Sequence, residues 1–229
     1  REMDMAASVQ KVVEEVMLKT AAYAKQLTGM KNLVLAGGVA LNCVANGKLL
    51  EKKIFDKIWV QPAAGDAGGA LGAALFAYYK KSGAKRIVRG GDSMQGSYLG
   101  PGFSIEEAKQ YLDKNGYRYI QLCSQEQKDQ TIAELLNEGK VIGICSGRME
   151  FGPRALCNRS IIGDGRSADM QSIMNLKIKY RESFRPFAPS VLEEDVSDYF
   201  ELEEDSPYML MVAQVKKQRQ IPFDMKNYD

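Results

Sequence analysis

The sequence predicts an α/β protein built as two successive units, each a small sheet covered by helices. Two observations carry that expectation. Apolar runs of strand length alternate with stretches whose apolar residues recur at helical spacing, and glycine-rich turns join them. Between Gly83 and Phe103 the periodicity lapses into Gly, Ser and Arg before the alternation resumes. The expected division is a first domain over residues 1–82, a linker over 83–103 and a second domain over 104–229.

The elements follow in order. Residues 4–28 carry Val9, Val12, Val13, Val16, Met17, Thr20, Ala24 and Leu27 at the i, i+3, i+4 spacing of an amphipathic helix, and Gly29 ends it. Leu33-Val34-Leu35-Ala36 fits a buried strand broken by Gly37-Gly38, and a helix from about Leu41 to Lys52 leads to a second strand at Lys57–Val60. Pro62 to Gly65 forms a loop, after which Asp66 can cap a third helix running to Tyr79. Tyr98 to Gly102 has the composition of an ordered turn inside the linker. The second unit opens on Ser104-Ile105-Glu106-Glu107, a capping box in form. A helix to about Lys114, a strand near Tyr117–Leu122, a helix over about Ser124–Asn137 and a strand at Val141–Cys145 complete the expectation.

Composition bounds the chemistry. Of 229 residues, 45% are hydrophobic and 26% charged, enough apolar content for a buried core. No apolar run approaches the roughly 20 residues that span a bilayer, and Arg1-Glu2-Met3-Asp4 does not open a signal peptide. Membrane insertion and secretion are not expected. The net charge of +2 gives no global reason to expect nucleic-acid binding. Cys43, Cys123, Cys145 and Cys157 include no CxxC pair and read as reduced thiols of a cytoplasmic protein. There is no histidine, which excludes Ser-His-Asp, Cys-His and HExxH chemistry within this chain. The chain opens directly in a helical pattern without Met and stops at Asp229 without a capping element, so loss of residues at both ends is expected.

Four constellations carry chemistry. In Ala36-Gly37-Gly38-Val39-Ala40-Leu41-Asn42, glycines at a strand–helix junction let backbone N–H groups approach a phosphate; a tight turn with no ligand fits equally. Gly65-Asp66-Ala67-Gly68-Gly69 repeats the junction. Asp66 there suits a divalent cation beside phosphates, or a helix cap with small residues for close packing. The third block is Gly147 to Ser160 and the fourth Lys177 to Pro189. Together they place Arg148, Arg154, Arg159, Lys177, Lys179, Arg181 and Arg185 among aromatic residues and prolines. Rigid guanidinium and ammonium groups suit phosphoryl or acyl-phosphate chemistry; the alternative is an ion-pair network with Glu150, Asp164 and Glu182. Charge is segregated: nine basic against four acidic residues from Lys140 to Pro189, then eight acidic and no basic from Val191 to Leu210. The acidic stretch alternates with Val196, Tyr199, Phe200 and Leu202, as a solvated face over a local core does.

In this order the four blocks resemble the carbamoyltransferases of the nodulation-protein and antibiotic-tailoring type. Residues 4–82 and 98–212 take part. The most specific portion is Arg148-Met149-Glu150-Phe151-Gly152-Pro153-Arg154-Ala155-Leu156 with Arg181-Glu182-Ser183-Phe184-Arg185-Pro186-Phe187-Ala188-Pro189. The resemblance implies that the first unit is the second half of an actin/Hsp70-like domain, related to the universal tRNA threonylcarbamoyl transferase. It implies that the second is the first part of a YrdC-like domain, both truncated. It implies a two-step reaction: carbamoyl phosphate and ATP give a carbamoyl adenylate with release of phosphate and pyrophosphate, and the carbamoyl group then passes to a hydroxyl of a small-molecule acceptor. On the same basis Arg154, Lys179 and Arg185 fall on catalytic anion-binding positions. Gly37, Gly38, Asn42 and Gly68 fall on the nucleotide site, and Asp66 on a ligand of a divalent metal, Fe or Mg/Mn.

The family's metal also takes histidines from a preceding half-domain and its adenylation site further arginines beyond Asp229, so this chain alone is expected to be inactive. Cys157 stands where a glycine is usual. The acceptor stays open among aminoglycosides, cephems, lipochitooligosaccharides and other hydroxyl compounds, and so does the oligomeric state. Two other classes compete. An actin-like ATPase or sugar kinase accounts for the glycine loops and Asp66 but leaves the Arg154/Arg185 block without a role. A tRNA-modifying or RNA-binding module accounts for the cations, yet the stacking motif of an RNA reader is lacking.

Overall fold

The computed structural model of the chain describes residues 1–88 and 90–222. It is a mixed α/β structure that divides into two compact units. One holds residues 1–88 with the described residues from Ser190 onward, and the other the described residues up to Pro189.

In the first unit α1 spans Glu2–Thr28, and Gly29 ends it in the left-handed conformation (φ 64°) with its N–H on the Lys25 carbonyl. Strand β1 (Asn32–Leu35) pairs in parallel with β2 (Lys57–Val60), Leu33 opposite Ile58 and Leu35 opposite Val60. The crossover between them is a 3-10 turn at Gly38–Leu41 and α2 (Cys43–Glu51); α3 (Asp66–Ser82) follows β2. Ile58 and Val60 are buried, as are Ala40, Ala45, Leu49 and Phe55, while Lys57 and Trp59 are exposed, the period-two alternation of a pleated strand.

The face of α1 does not follow expectation. Val9, Val12 and Val16 stand 62%, 59% and 56% exposed, and Ala21 is the helix's buried residue. The spacing that makes the helix amphipathic is present, but a two-stranded sheet is too narrow to cover it.

The expected boundaries assign residues 190–229 to the second domain; in the structure residues 190–222 pack with the first unit. A turn at Glu193–Asp195, α7 (Val196–Tyr199) and an antiparallel bridge between Phe200 and Val215 bring Tyr208 and Leu210 into its core. Asn46, wholly buried in α2, ties the segment down by donating Nδ2 to the carbonyls of Ala40 (2.8 Å) and Leu210 (2.9 Å).

In the second unit α4 (Ile105–Lys114) begins with the expected capping box. Ser104 Oγ accepts from Glu107 N–H and the Glu107 carboxylate accepts from Ser104 N–H. Helix α5 (Gln125–Asn137) is capped by Ser124. Strands β3 (Ile142–Cys145) and β4 (Arg159–Ile162) pair antiparallel, and α6 (Met170–Ile173) runs into a π-helical turn, Met174–Ile178.

Two local expectations change. The strand near Tyr117–Leu122 is irregular and largely exposed, because no strand among the described residues pairs with it. Part of the stretch read as linker is packed. Met94 and Ser97 are buried, Gly100 N–H donates to Met149 O (2.9 Å), and Met149 N–H donates back to Pro101 O (2.8 Å).

Candidate functional site

The first candidate loops sit at the carboxyl ends of β1 and β2, where parallel α/β sheets place their ligand crevices. Gln61 N–H donates to Leu35 O (2.9 Å), and Gly37 N–H to Ala64 O (2.8 Å), so the Gly37-Gly38 turn and the 61–65 loop are stitched side by side. Gly37 adopts φ 96°, which a side chain would strain, and a Cβ on either glycine would meet nothing within 4 Å. The backbone there is open to approach.

Other residues assigned to this site have structural duties. Asn42 caps α2, its Oδ1 accepting from Ala45 N–H (3.1 Å), and its amide pairs reciprocally with Gln10 of α1. Gly68 is forced by packing: a Cβ on it would lie 2.1 Å from the Ala63 carbonyl oxygen. Asp66 lies exposed in the first turn of α3, but Gly65 is the N-cap and no side-chain capping bond forms, which corrects the expected Asp cap. Among the described residues no three His, Cys, Asp or Glu side chains gather as a metal site. One carboxylate does not satisfy the coordination shell of a hard cation, so the described residues do not by themselves fit the implied metal.

The second group lies in the β3–β4 connection and after the π-helical turn. Arg154 is half-buried on the loop that joins the two strands. Glu150 organises that loop: its Oε1 accepts from the backbone N–H groups of Leu156 (2.7 Å), Asn158 (2.9 Å) and Arg159 (3.2 Å). Partial burial pushes the Glu150 carboxyl up, but these amides and its own outweigh burial and hold it below the ordinary carboxylate value. Tyr98 adds a brace, donating its hydroxyl to Leu156 O (2.5 Å); burial, then the nearby Cys157 and Glu150, push its phenol up.

The seven cations divide by role. Arg148 donates to the carbonyls of Gly100 (2.8 Å) and Leu99 (3.0 Å), and Arg159 to those of Ser146 (2.7 Å), Asn158 (3.1 Å) and Gly147 (3.2 Å). These two are loop braces. The next cluster centres on Asn175, fully buried in the π-helical turn. Its Nδ2 donates to Ser183 O and Arg185 O (both 2.9 Å), and its Oδ1 accepts from Arg181 Nε (2.6 Å). Phe187 receives Lys179 Nζ 5.8 Å and the Arg181 guanidinium carbon 4.9 Å from its ring centre. Lys179 and Arg185 are thereby held on one small framework. Arg185 also pairs with Glu182 (2.8 Å), both half-exposed, as the ion-pair reading anticipated for that pair. Glu150, also named in that network, instead anchors backbone.

A model of the carbamoyltransferase N-terminus matches residues 1–75, and a model of the carbamoyltransferase C-terminus matches residues 133–225. The chain belongs to the carbamoyltransferase family. It is 56% identical to an uncharacterized protein of Synechocystis over 97% of its own length and 36% of that protein's. It is 42% identical to nodulation protein NolO of Bradyrhizobium diazoefficiens, covering 93% and 39% of the two chains. To nodulation protein NolNO of Sinorhizobium fredii it is again 42% identical, covering 94% and 32%. The chain thus spans about a third of the length of the curated relatives it matches. The glycine loops fall within the N-terminal match and the cation loops within the C-terminal one, an association that favours neither the kinase-like nor the RNA-binding alternative. No helix among the described residues is long and apolar enough to cross a membrane.

Sequence reasoning missed the residues that position the cations. Tyr98 fell in the stretch read as linker, Asn175 in a stretch given no role, and Glu150 among ion-pair partners. An Asn between Met174 and Leu176 was the available signal, since a buried amide requires backbone partners.

Proposed function

We propose that this chain supplies two phosphate-binding parts of an ATP-dependent O-carbamoyltransferase, an actin/Hsp70-like half-domain and part of a YrdC-like domain. In the first step carbamoyl phosphate gives up its phosphoryl group to water, and the carbamate oxygen attacks the α-phosphorus of ATP, expelling pyrophosphate. In the second a hydroxyl oxygen of a small-molecule acceptor attacks the carbamoyl carbon and AMP departs.

Within this reading Arg154, Lys179 and Arg185 neutralise phosphate oxygens of the donor and of the charge that develops as pyrophosphate leaves. Gly37 gives its own N–H to Ala64 O, so it is the backbone from Gly38 onward that this open turn presents to a nucleotide phosphate during transfer, with Asn42 and Gly68 holding the helix starts beside it. Asp66 would offer one carboxylate to a divalent metal at this end of α3.

The observation that carries the reading is the framework around Asn175 and Phe187, which holds Lys179 and Arg185 on a packed turn instead of a floppy basic segment. The Arg185–Glu182 pair fits it: it is exposed and screened by solvent, so phosphate displaces the carboxylate at small cost.

The test is carbamoyl-phosphate-dependent exchange of labelled pyrophosphate into ATP by the full-length enzyme. Arg154→Ala, Lys179→Ala and Arg185→Ala are each expected to lose tenfold or more, since a charge-assisted contact is worth about 1.5–3 kcal/mol. Wild-type exchange in all three variants would refute the assignment.

A further inference from the structure

The loop that carries Arg154 is closed on itself by a single carboxylate oxygen. Glu150 Oε1 collects three backbone N–H groups at 2.7, 2.9 and 3.2 Å, all from the far side of the loop. Between the carboxylate and its first donor lie Phe151, Gly152, Pro153, Arg154 and Ala155. The same short stretch is gripped twice more from one segment: Phe151 N–H donates to Ser97 O (2.6 Å) and Tyr98 Oη to Leu156 O (2.5 Å). Gly152 at φ 135° and Cys157 at φ 80° mark the bends this closure requires. The backbone of Arg154 is therefore bracketed on both sides, with Glu150 making the largest share of the closure. An anion acceptor is the right chemistry for it, because three converging amide dipoles place positive charge at one point and a carboxylate answers them about twice as strongly as a neutral oxygen.

We propose that Glu150 is the positioning residue of the anion site: its ionised carboxylate fixes the 151–159 loop so that Arg154 meets the phosphate group. The inference rests on the reading of Arg154 as a phosphate ligand. Glu150 does not touch the ligand and acts only through Arg154, and this separates it from a residue that merely supports folding.

The experiment is calorimetric titration of the full-length enzyme with inorganic phosphate and with carbamoyl phosphate at constant neutral pH. It compares Glu150→Ala, Glu150→Gln, Arg154→Ala and the double variant Glu150→Ala/Arg154→Ala, with folding checked by circular dichroism. Glu150→Ala is expected to weaken both anions about tenfold or more. Glu150→Gln, which keeps an acceptor oxygen without the charge, is expected to fall between it and the wild type. In the Arg154→Ala background, Glu150→Ala is expected to change affinity no further, because its effect has no other route. Wild-type affinity in Glu150→Gln and Glu150→Ala overturns the inference, as do losses that simply add in the double variant. If Glu150→Ala does not fold, the cycle is run with Glu150→Gln, and additivity there overturns it equally. Unchanged affinity in Arg154→Ala, or no binding by the wild type, has a different meaning: it removes the phosphate site itself, and the role of Glu150 with it.

Discussion

Gly68 and Gly69 are neighbours in the first turns of α3, and substituting each by alanine should move stability in opposite directions. A Cβ on Gly69 meets nothing within 4 Å, so Gly69→Ala gains the helix propensity that glycine forfeits, about 0.5–1 kcal/mol. A Cβ on Gly68 would stand 2.1 Å from the Ala63 oxygen and 3.0 Å from its carbonyl carbon. Ordinary contact starts near 3.4 Å, so either the 62–65 loop or the start of α3 must give by more than 1 Å. That displacement also endangers the Gly68 N–H bond to Ala63 O (2.8 Å). Overpacking of this kind costs about 1–3 kcal/mol and a lost backbone bond about 1 kcal/mol, against a propensity gain of about 1 kcal/mol. The net expectation for Gly68→Ala is a loss of about 1–3 kcal/mol. Urea denaturation followed at 222 nm, with the two variants run beside the wild type, reads the sign directly. Because Ala64 accepts from Gly37, amide exchange at Gly37 should also quicken in Gly68→Ala and stay unchanged in Gly69→Ala. A Gly68→Ala variant at least as stable as the wild type would refute the packing account of this glycine.

Three further outcomes follow from the geometry. Glu150 has a lowered carboxyl pKa, so its contribution is fully present above the ordinary value of 4.5 and is lost as pH falls through the lowered one. The gap in thermal stability between wild type and Glu150→Gln should therefore be largest near neutral pH and close in acid; a gap that widens in acid contradicts this. Asn175→Ala removes the donor to two carbonyls and the acceptor of Arg181 Nε, and chemical denaturation should show a loss of about 2–4 kcal/mol. Gly47→Ala drives a Cβ to 2.2 Å from Val212 O, so denaturation should show a loss despite the better helix former. Hydrogen exchange should concentrate that loss around Leu210–Val212.

Local chemistry made much of the fold legible. The β1 and β2 runs, the Ser104 capping box and the Gly29 terminus each rest on residues within a few positions of one another, and each is found in place. What sequence periodicity does not encode is the partner. The Tyr117–Leu122 run has strand composition but no strand among the described residues beside it, and the α1 stripe has helical spacing but little among them to cover it. The packing of residues 190–222 with the first unit depends on Asn46 reaching Leu210 across 164 positions of sequence, which no local pattern announces. At the candidate site the cations were legible because charge and proline density stand out, whereas the use of Arg148 and Arg159 as loop braces was not, since it depends on which carbonyls the fold sets before them.

That use has a physical reason. Seven cations drawn from two short segments repel one another wherever they approach, and screening by solvent moderates that cost at the surface. The chain offsets this without neutralising the whole surface. Two guanidiniums are spent on backbone carbonyls, where they close the loop that carries Arg154. A third is laid on Phe187 and bonded to Asn175. The carboxylate nearest the loop, Glu150, faces backbone amides, so it fixes the loop without competing for a ligand's place among the cations. Glu182 is the exception, and its pair with Arg185 is exposed and weak. An arrangement serving only solubility would scatter such charges over mobile side chains; here the Phe187 ring and the buried Asn175 amide hold part of the set in place. Positive potential kept on a rigid base is what recognition of a phosphate requires, because the charges need not be gathered at the moment of binding.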